Sequence, residues 1–111
     1  AFERWVEFHY SEGLICVVLD FDHSIAGVVM CRPVMSVMDA FDDLAFDPEG
    51  ACLHISQLIC TKKGALPALG FAVLRRFGER PMISWRRPPN FKLEVHSGKT
   101  LRRNALRRVF A

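Results

Sequence analysis

Two adjacent lysines, Lys62 and Lys63, stand between an apolar run and a helix-patterned run, with Thr61 before them and Gly64 after. A helix N-terminus offers unpaired amides and the positive end of the backbone dipole. Lysines beside it make a place suited to an anion, phosphates above all. The stretch is neither a P-loop nor a GxGxxG turn, since both patterns are absent. The alternative is a strand-to-helix turn kept soluble by two charges. His54 lies inside the preceding run, residues 51–60, and imidazole titrates near neutral pH. The alternative for His54 is a hydrogen-bonded core histidine. Asp47 and Glu49 precede the same run and suit proton transfer through water, or are simply solvated loop acids. The pair Asp42 and Asp43 sits in the same acidic stretch and calls for no hydrolase. Cys16, Cys31, Cys52 and Cys60 each fall within an apolar run, with no CxxC or paired zinc-ligand spacing, and read as buried reduced thiols. Cys52 and His54 share one strand face, but two ligands make no metal site, so no metal is expected. No GxSxG elbow is present to suggest a nucleophile.

The elements that must position these residues follow from periodicity. Phe2, Trp5, Val6 and Tyr10 are at near-helical spacing and Gly13 is a natural stop, which predicts a helix over 2–10. Residues 14–20 and 25–31 are rich in β-branched side chains and flank a polar turn, which predicts an antiparallel hairpin. Its near-continuous apolarity predicts burial on both faces, and Pro33 is expected to end it. A short helix is read from Val34, Met35, Val37, Met38 and Phe41, then an acidic loop to Gly50 and a long strand over 51–60. Leu66, Leu69, Val73 and Phe77 share one face of a helix over 65–77, with Pro67 in its first turn and Gly78 after its end. Residues 81–86 predict a fourth strand and 91–95 a fifth. From Lys99 a helix is expected, with Leu101, Ala105 and Val109 as its stripe.

In that order and length, residues 1–86 resemble the GNAT superfamily of acyl-CoA-dependent N-acyltransferases. That fold has a helix, a hairpin of central strands, a long strand, a pyrophosphate loop opening a helix, and a further strand splayed from the long one. The matching pieces are residues 2–10, 14–31, 52–60, 61–77 and 82–85; the family's usual first strand has no counterpart. The resemblance implies an α/β (α+β) class fold: one GNAT-like domain over 1–111 with a mixed, largely antiparallel central sheet flanked by helices. It also suggests the compact members found in bacteria and phages. It implies acyl transfer from acetyl-CoA or another acyl-CoA to the amine of a small molecule or peptide. Residues 54–60 look like the strand that pairs with the pantetheine arm, placing Gln57 and Ile59 at the cofactor. Lys62, Lys63, Gly64, Ala65 and Leu66 look like the pyrophosphate loop. The family pattern of a basic residue or Gln, two others, Gly, one other, then Gly or Ala is not matched. Anchored on Gly64 it meets Thr61 and Leu66; anchored on Gly70 it meets Pro67 and Ala72. His54 becomes the base. The proton donor that many members take from a tyrosine after the splayed strand has only His96, Ser97 or water here, because the sole tyrosine is Tyr10.

Charge sharpens this picture. Residues 1–60 hold ten acids and two bases, Arg4 and Arg32; residues 61–111 hold thirteen bases and two acids, Glu79 and Glu94. The two parts carry −8 and +11, and the sign changes at Thr61. An acidic rim near residues 42–49 would draw an amine, and the basic part an anion. The second reading is a non-catalytic module on the same scaffold. Arg102, Arg103, Arg107 and Arg108, with Trp85, Phe91 and Phe110, would then bind nucleic acid or an acidic protein. At 111 residues, half of them apolar, the chain has room for one domain with a real core. No apolar run nears the roughly 20 residues of a membrane span, so no membrane partner is expected and the default compartment is the cytoplasm. An uncovered sheet edge would invite a homodimer.

Overall fold

The structure, a computed structural model, describes residues 2–42, 44–62, 64–87, 89–100 and 103. It is α+β: among the described residues a five-stranded mixed sheet stands with the α-helices Phe2–Ser11 and Ala65–Phe77, a short 3₁₀ helix and a few helical residues from Lys99. The first helix, α1 (Phe2–Ser11), stops at Gly13, whose φ of 69° few other residues adopt, and Leu14 N–H closes the corner on the His9 carbonyl at 2.7 Å. Strands β1 (Ile15–Leu19) and β2 (Ile25–Val34) form the expected hairpin, its turn held by Asp22, whose carboxylate accepts from the Ser24 N–H at 3.0 Å. The 3₁₀ helix Val37–Phe41 opens with a capping box, in which Ser36 and Asp39 exchange side-chain and backbone hydrogen bonds. Then follow β3 (Cys52–Cys60), α2 (Ala65–Phe77), β4 (Met82–Arg87) and β5 (Lys92–Ser97).

The strands stand in chain order, and every neighbouring pair is antiparallel except β3 and β4. That pair is parallel because α2 carries the chain back to the starting end of the sheet, the crossover a parallel pair needs. The core lies between α2 and the sheet: Leu69, Val73 and Phe77 cluster with Leu14, Val29, Cys31 and Leu53, and Phe8, Cys16, Val18, Phe46 and Ile55 pack around them. Gly27 is required there, since a Cβ would stand 2.8 Å from Leu69 Cδ1. The opposite face carries Arg32, His54 and Ser84, all buried, under the 3₁₀ helix.

Four expectations are corrected. Pro33 does not end β2; it pairs with Leu53 inside the strand. Its carbonyl accepts from Asp47 N–H on the side away from β3, so the N–H that proline lacks is not needed by the ladder. The hairpin is not buried on both faces, because α2 covers one only; Val17 is 48% exposed and Leu19 55%. Leu66 is exposed, and Ala65 and Gly70 fill its place on the buried stripe of α2. Of the four thiols, Cys31 and Cys52 are buried, Cys16 is half-buried and Cys60 is exposed. Lys99, Thr100 and Arg103 are helical. The rest of the expected C-terminal helix, with Leu101, Arg102, Ala105, Arg107, Arg108, Val109 and Phe110, lies outside the described residues, as does Lys63.

Candidate functional site at the parting of β3 and β4

The parallel pair is short. Cys52, Leu53, His54 and Ile55 match Met82, Ile83, Ser84 and Trp85. Beyond Ile55, β3 runs on to Cys60 with no partner on that side among the described residues, while β4 continues to Arg87 paired, among them, with β5 alone. The cause is visible one residue along. Met30 of β2 faces Gln57 and Cys31 faces Ile55, so Ser56 is an extra residue on β3. Such a bulge bends its strand and increases its twist, and so turns β3 away from β4.

Arg32 holds that bulge. Arg32 is 1% exposed, and its Nη1 donates to Ser56 Oγ at 2.7 Å. Nε donates to the Ala45 carbonyl at 2.7 Å and Nη2 to the Asp42 carbonyl at 2.6 Å, with longer contacts to the Asp39 carbonyl at 3.3 Å and that of Ala40. A buried guanidinium is tolerated only when its donors are matched, and here they gather the carbonyls of the 3₁₀ helix and the loop after it. One side chain thereby ties the covering segment to the bulge. Phe41 adds a second tie, lying 4.5 Å from the Arg86 guanidinium of β4.

His54 is placed one pair before the parting. It is 4% exposed, on the face under the 3₁₀ helix, and its Nδ1 lies 3.0 Å from Ser84 Oγ on β4. Ser84 is fully buried and also meets Cys52 Sγ at 3.4 Å. His54 is thus a hydrogen-bonded interior histidine that borders the opening. Gln57 and Ile59 are exposed beyond it, on the unpaired length of β3, in register with Met30 and Val28.

At the carboxyl end of β3, Thr61 is anchored to the hairpin: its N–H donates to the Ala26 carbonyl and its hydroxyl to that of Ile25, both at 2.9 Å. Lys62 is half-exposed and pairs with Asp20 at 3.5 Å. Gly64 caps α2 at a φ of 87°, and among the described residues there is no side-chain cap and nothing within 4 Å of where its Cβ would be. Ala65 is buried, and its N–H is turned to the Lys62 carbonyl at 3.3 Å. Pro67 has no N–H. An anion at this end would therefore rely on the amides of Gly64 and Leu66 and on Lys62.

The structure separates other candidates from this end. Asp47 and Glu49 precede β3, and nine strand residues put them roughly 30 Å from Lys62. Tyr10 is exposed at the end of α1. Ser97 pairs with Met82 at the far end of β4. His96 is better placed. Its ring stacks on Trp85 at 4.4 Å, and Glu94 joins the two, accepting from Trp85 Nε1 at 3.2 Å and standing 3.7 Å from His96 Nε2. Trp85 belongs to the last β3–β4 pair, so this stack borders the opening.

Sequence reasoning missed Arg32, Ser56 and Ser84. Arg32 had a signal, as the lone base within the apolar residues 25–34. The two serines had none, because an isolated serine in a strand reads as surface. Among the described residues no group of three or more His, Cys, Asp or Glu is placed to hold a metal, and no helix is long and apolar enough to cross a membrane. A depression of about 260 Å³ lies at the opposite end of the sheet, lined by Glu79, Arg80, Pro81, Ser97 and Lys99. Comparison of the chain with protein-family models, curated proteins and solved structures finds no match.

Proposed function

We propose that the chain binds an acyl-CoA in the opening between β3 and β4 and transfers its acyl group to an amine, as the GNAT resemblance implies. The observation that supports this is the parallel pair that stops after Ile55 and Trp85, at the end of the sheet where Gly64 opens α2. Ligands of open α/β sheets lie outside the carboxyl ends of parallel strands, and here those ends are already apart. The unpaired edge of β3 beside Gln57 and Ile59 offers backbone groups to an extended arm that carries amides. Lys62 and the amides of Gly64 and Leu66 would meet the phosphates, with Lys62 exchanging Asp20 for the ligand. The cofactor supplies a thioester carbonyl open to attack by an amine.

The chain's own groups then have three tasks. Backbone N–H groups on the edge of β3 that β4 leaves after Ile55 stabilise charge developing on the carbonyl oxygen. His54, its ring fixed by Ser84, accepts the proton that the ammonium must lose. His96, next to Glu94 and stacked on Trp85, is the nearer of the two side-chain donors for the departing thiolate.

Thermal denaturation with and without CoA tests this reading. Millimolar CoA is expected to raise Tm by several degrees. Lys62→Ala is expected to abolish the rise, and Asp20→Asn to enlarge it by releasing Lys62. An unchanged Tm at millimolar CoA for the unaltered chain overturns the proposal.

A further inference from the structure

The two edges of the sheet are unlike. β5 carries Lys92, Glu94 and His96, and charged side chains on an edge discourage pairing with another chain. β1, the other edge, is Ile15, Cys16, Val17, Val18 and Leu19, with no charge, proline or glycine. The irregularity in its pairing falls on β2, where Ala26 is the surplus residue, so β1 itself is unbroken. Val17 and Leu19 are half-exposed, and among the described residues β1 pairs with β2 alone. An apolar, unprotected edge of this kind is a template for a further strand. We propose that β1 pairs antiparallel with β1 of a second copy, about a two-fold axis at Val17, joining two five-stranded sheets into one.

The edge is complementary to itself. The Leu14 carbonyl accepts from Cys31 N–H at 3.1 Å and Asp20 N–H donates to the Ser24 carbonyl at 2.8 Å, both toward β2. Successive residues of a strand turn their backbone groups to opposite sides. Cys16 and Val18 therefore face β2 as well, and Ile15, Val17 and Leu19 point N–H and C=O outward. A second β1 running the other way about Val17 sets Val17 against Val17 and Ile15 against Leu19. Each is a pair that exchanges both hydrogen bonds, so every outward donor and acceptor of the strand is matched. A shift of two residues would set Ile15 against Phe21 or Leu19 against Gly13. Their N–H groups are already engaged, by the Asp20 carboxylate and the Tyr10 carbonyl.

The two ends of the strand agree with that register, in which Asp20 of one copy faces Leu14 of the other and Phe21 faces Gly13. Arg76 is exposed on α2, its Nη2 2.7 Å from where a Gly13 Cβ would stand. Asp20 shares the α2 face of the strand with Cys16 and Val18, which pack on the core. Each Asp20, already beside Lys62, thus gains an arginine from the second copy. Phe21 is wholly exposed and Tyr10, at the corner with Gly13, is 78% exposed; the register brings the two rings together. A two-fold axis through the middle of a strand unites its two ends twice, so opposite charges and bare aromatic rings at those ends suit a second copy of this chain.

Analytical ultracentrifugation of the full chain tests this. A species of two chains should form at tens of micromolar. Val17→Lys keeps the ladder to β2, since Val17 turns away from it, and should weaken association at least tenfold. Asp20→Lys and Arg76→Glu should each weaken it several-fold. An equimolar mixture of those two variants should associate more tightly than either alone, because both ion pairs re-form across the seam. Amide exchange at Ile15, Val17 and Leu19 should slow as protein concentration rises, with Cys16 and Val18 changing less. A chain still monomeric at hundreds of micromolar overturns the proposal, including the case in which another part of the same chain occupies the edge. A dimer whose exchange at Ile15, Val17 and Leu19 ignores concentration also overturns it, by placing the contact elsewhere. So does a mixture no tighter than its components. None of these readouts involves CoA, so the result stands apart from that of the acyl-transfer proposal.

Discussion

On one side of the sheet Leu69, Val73 and Phe77 of α2 press onto Val29, Cys31 and Leu53; on the other, Arg32, His54 and Ser84 are just as deeply buried beneath the 3₁₀ helix. The first face is closed by apolar area alone, and any side chain of suitable size contributes to it. The second is closed by hydrogen bonds, and its polar groups are tolerated because each meets a particular partner. The two kinds of burial fail differently. Loss of an apolar side chain leaves a void that neighbours partly fill. Loss of the Arg32 guanidinium takes from the Ala45 carbonyl and the Ser56 hydroxyl the donor each meets here and leaves the Asp42 carbonyl to the Ala45 N–H, and backbone carbonyls cannot be substituted away.

The largest expected effect therefore belongs to the polar face. Arg32→Met should cost about 4 kcal/mol in urea denaturation, and Arg32→Lys about half of that, since an ammonium keeps the charge without the planar fork. Arg32→Met should also speed amide exchange at residues 55–57, because the bulge loses its tie. A cost below that of an apolar truncation would break the contrast between the faces. On the α2 face, Leu69→Ala should cost about 3 kcal/mol and leave exchange at the bulge unchanged. Gly27→Ala should destabilise the parent chain by overpacking and do so less in the Leu69→Ala background, where the clashing methyl is gone.

The smallest effect is a pH dependence confined to the apolar face. Burial pushes the Cys31 thiol well above its ordinary value of 9.0, and burial raises Cys16 in the same direction. Below pH 9 both folded and unfolded thiols are protonated, and stability is unaffected. Above it only the unfolded thiol ionises, so stability falls with rising pH, by about 1.4 kcal/mol per unit for one such group. Cys31→Ala should flatten that decline relative to the parent. Equal slopes in parent and Cys31→Ala chains would remove the thiol from the account.

Much of the α2 side was legible in the residues. The helix expected over 65–77 is α2 to the residue, because three-residue and four-residue apolar spacing, a Gly before and a Gly after leave little choice. The two strands of the hairpin and the long strand after the acidic loop were legible from their β-branched runs. The site was legible in part. The strand-to-helix turn at residues 61–65 was readable from its own composition, and His54 from its place on the strand. Arg32, Ser56 and Ser84 were not, since their roles arise from partners 24 and 30 residues away. The apolar run of β1 was misleading for the same reason: local pattern reports affinity for a core and says nothing of whether a second layer arrives to cover it.

The amino-acid order by itself determined the elements, their sequence along the chain, the change of charge at Thr61 and the turn that opens α2. These rest on nearest-neighbour effects: side-chain period, capping and backbone freedom. Tertiary structure alone decided that β3 and β4 run parallel for four residues and then part, that Ser56 is the surplus residue, and that Arg32 is buried to hold it. Those features depend on register between strands and on matched donors across the fold, which no local pattern encodes.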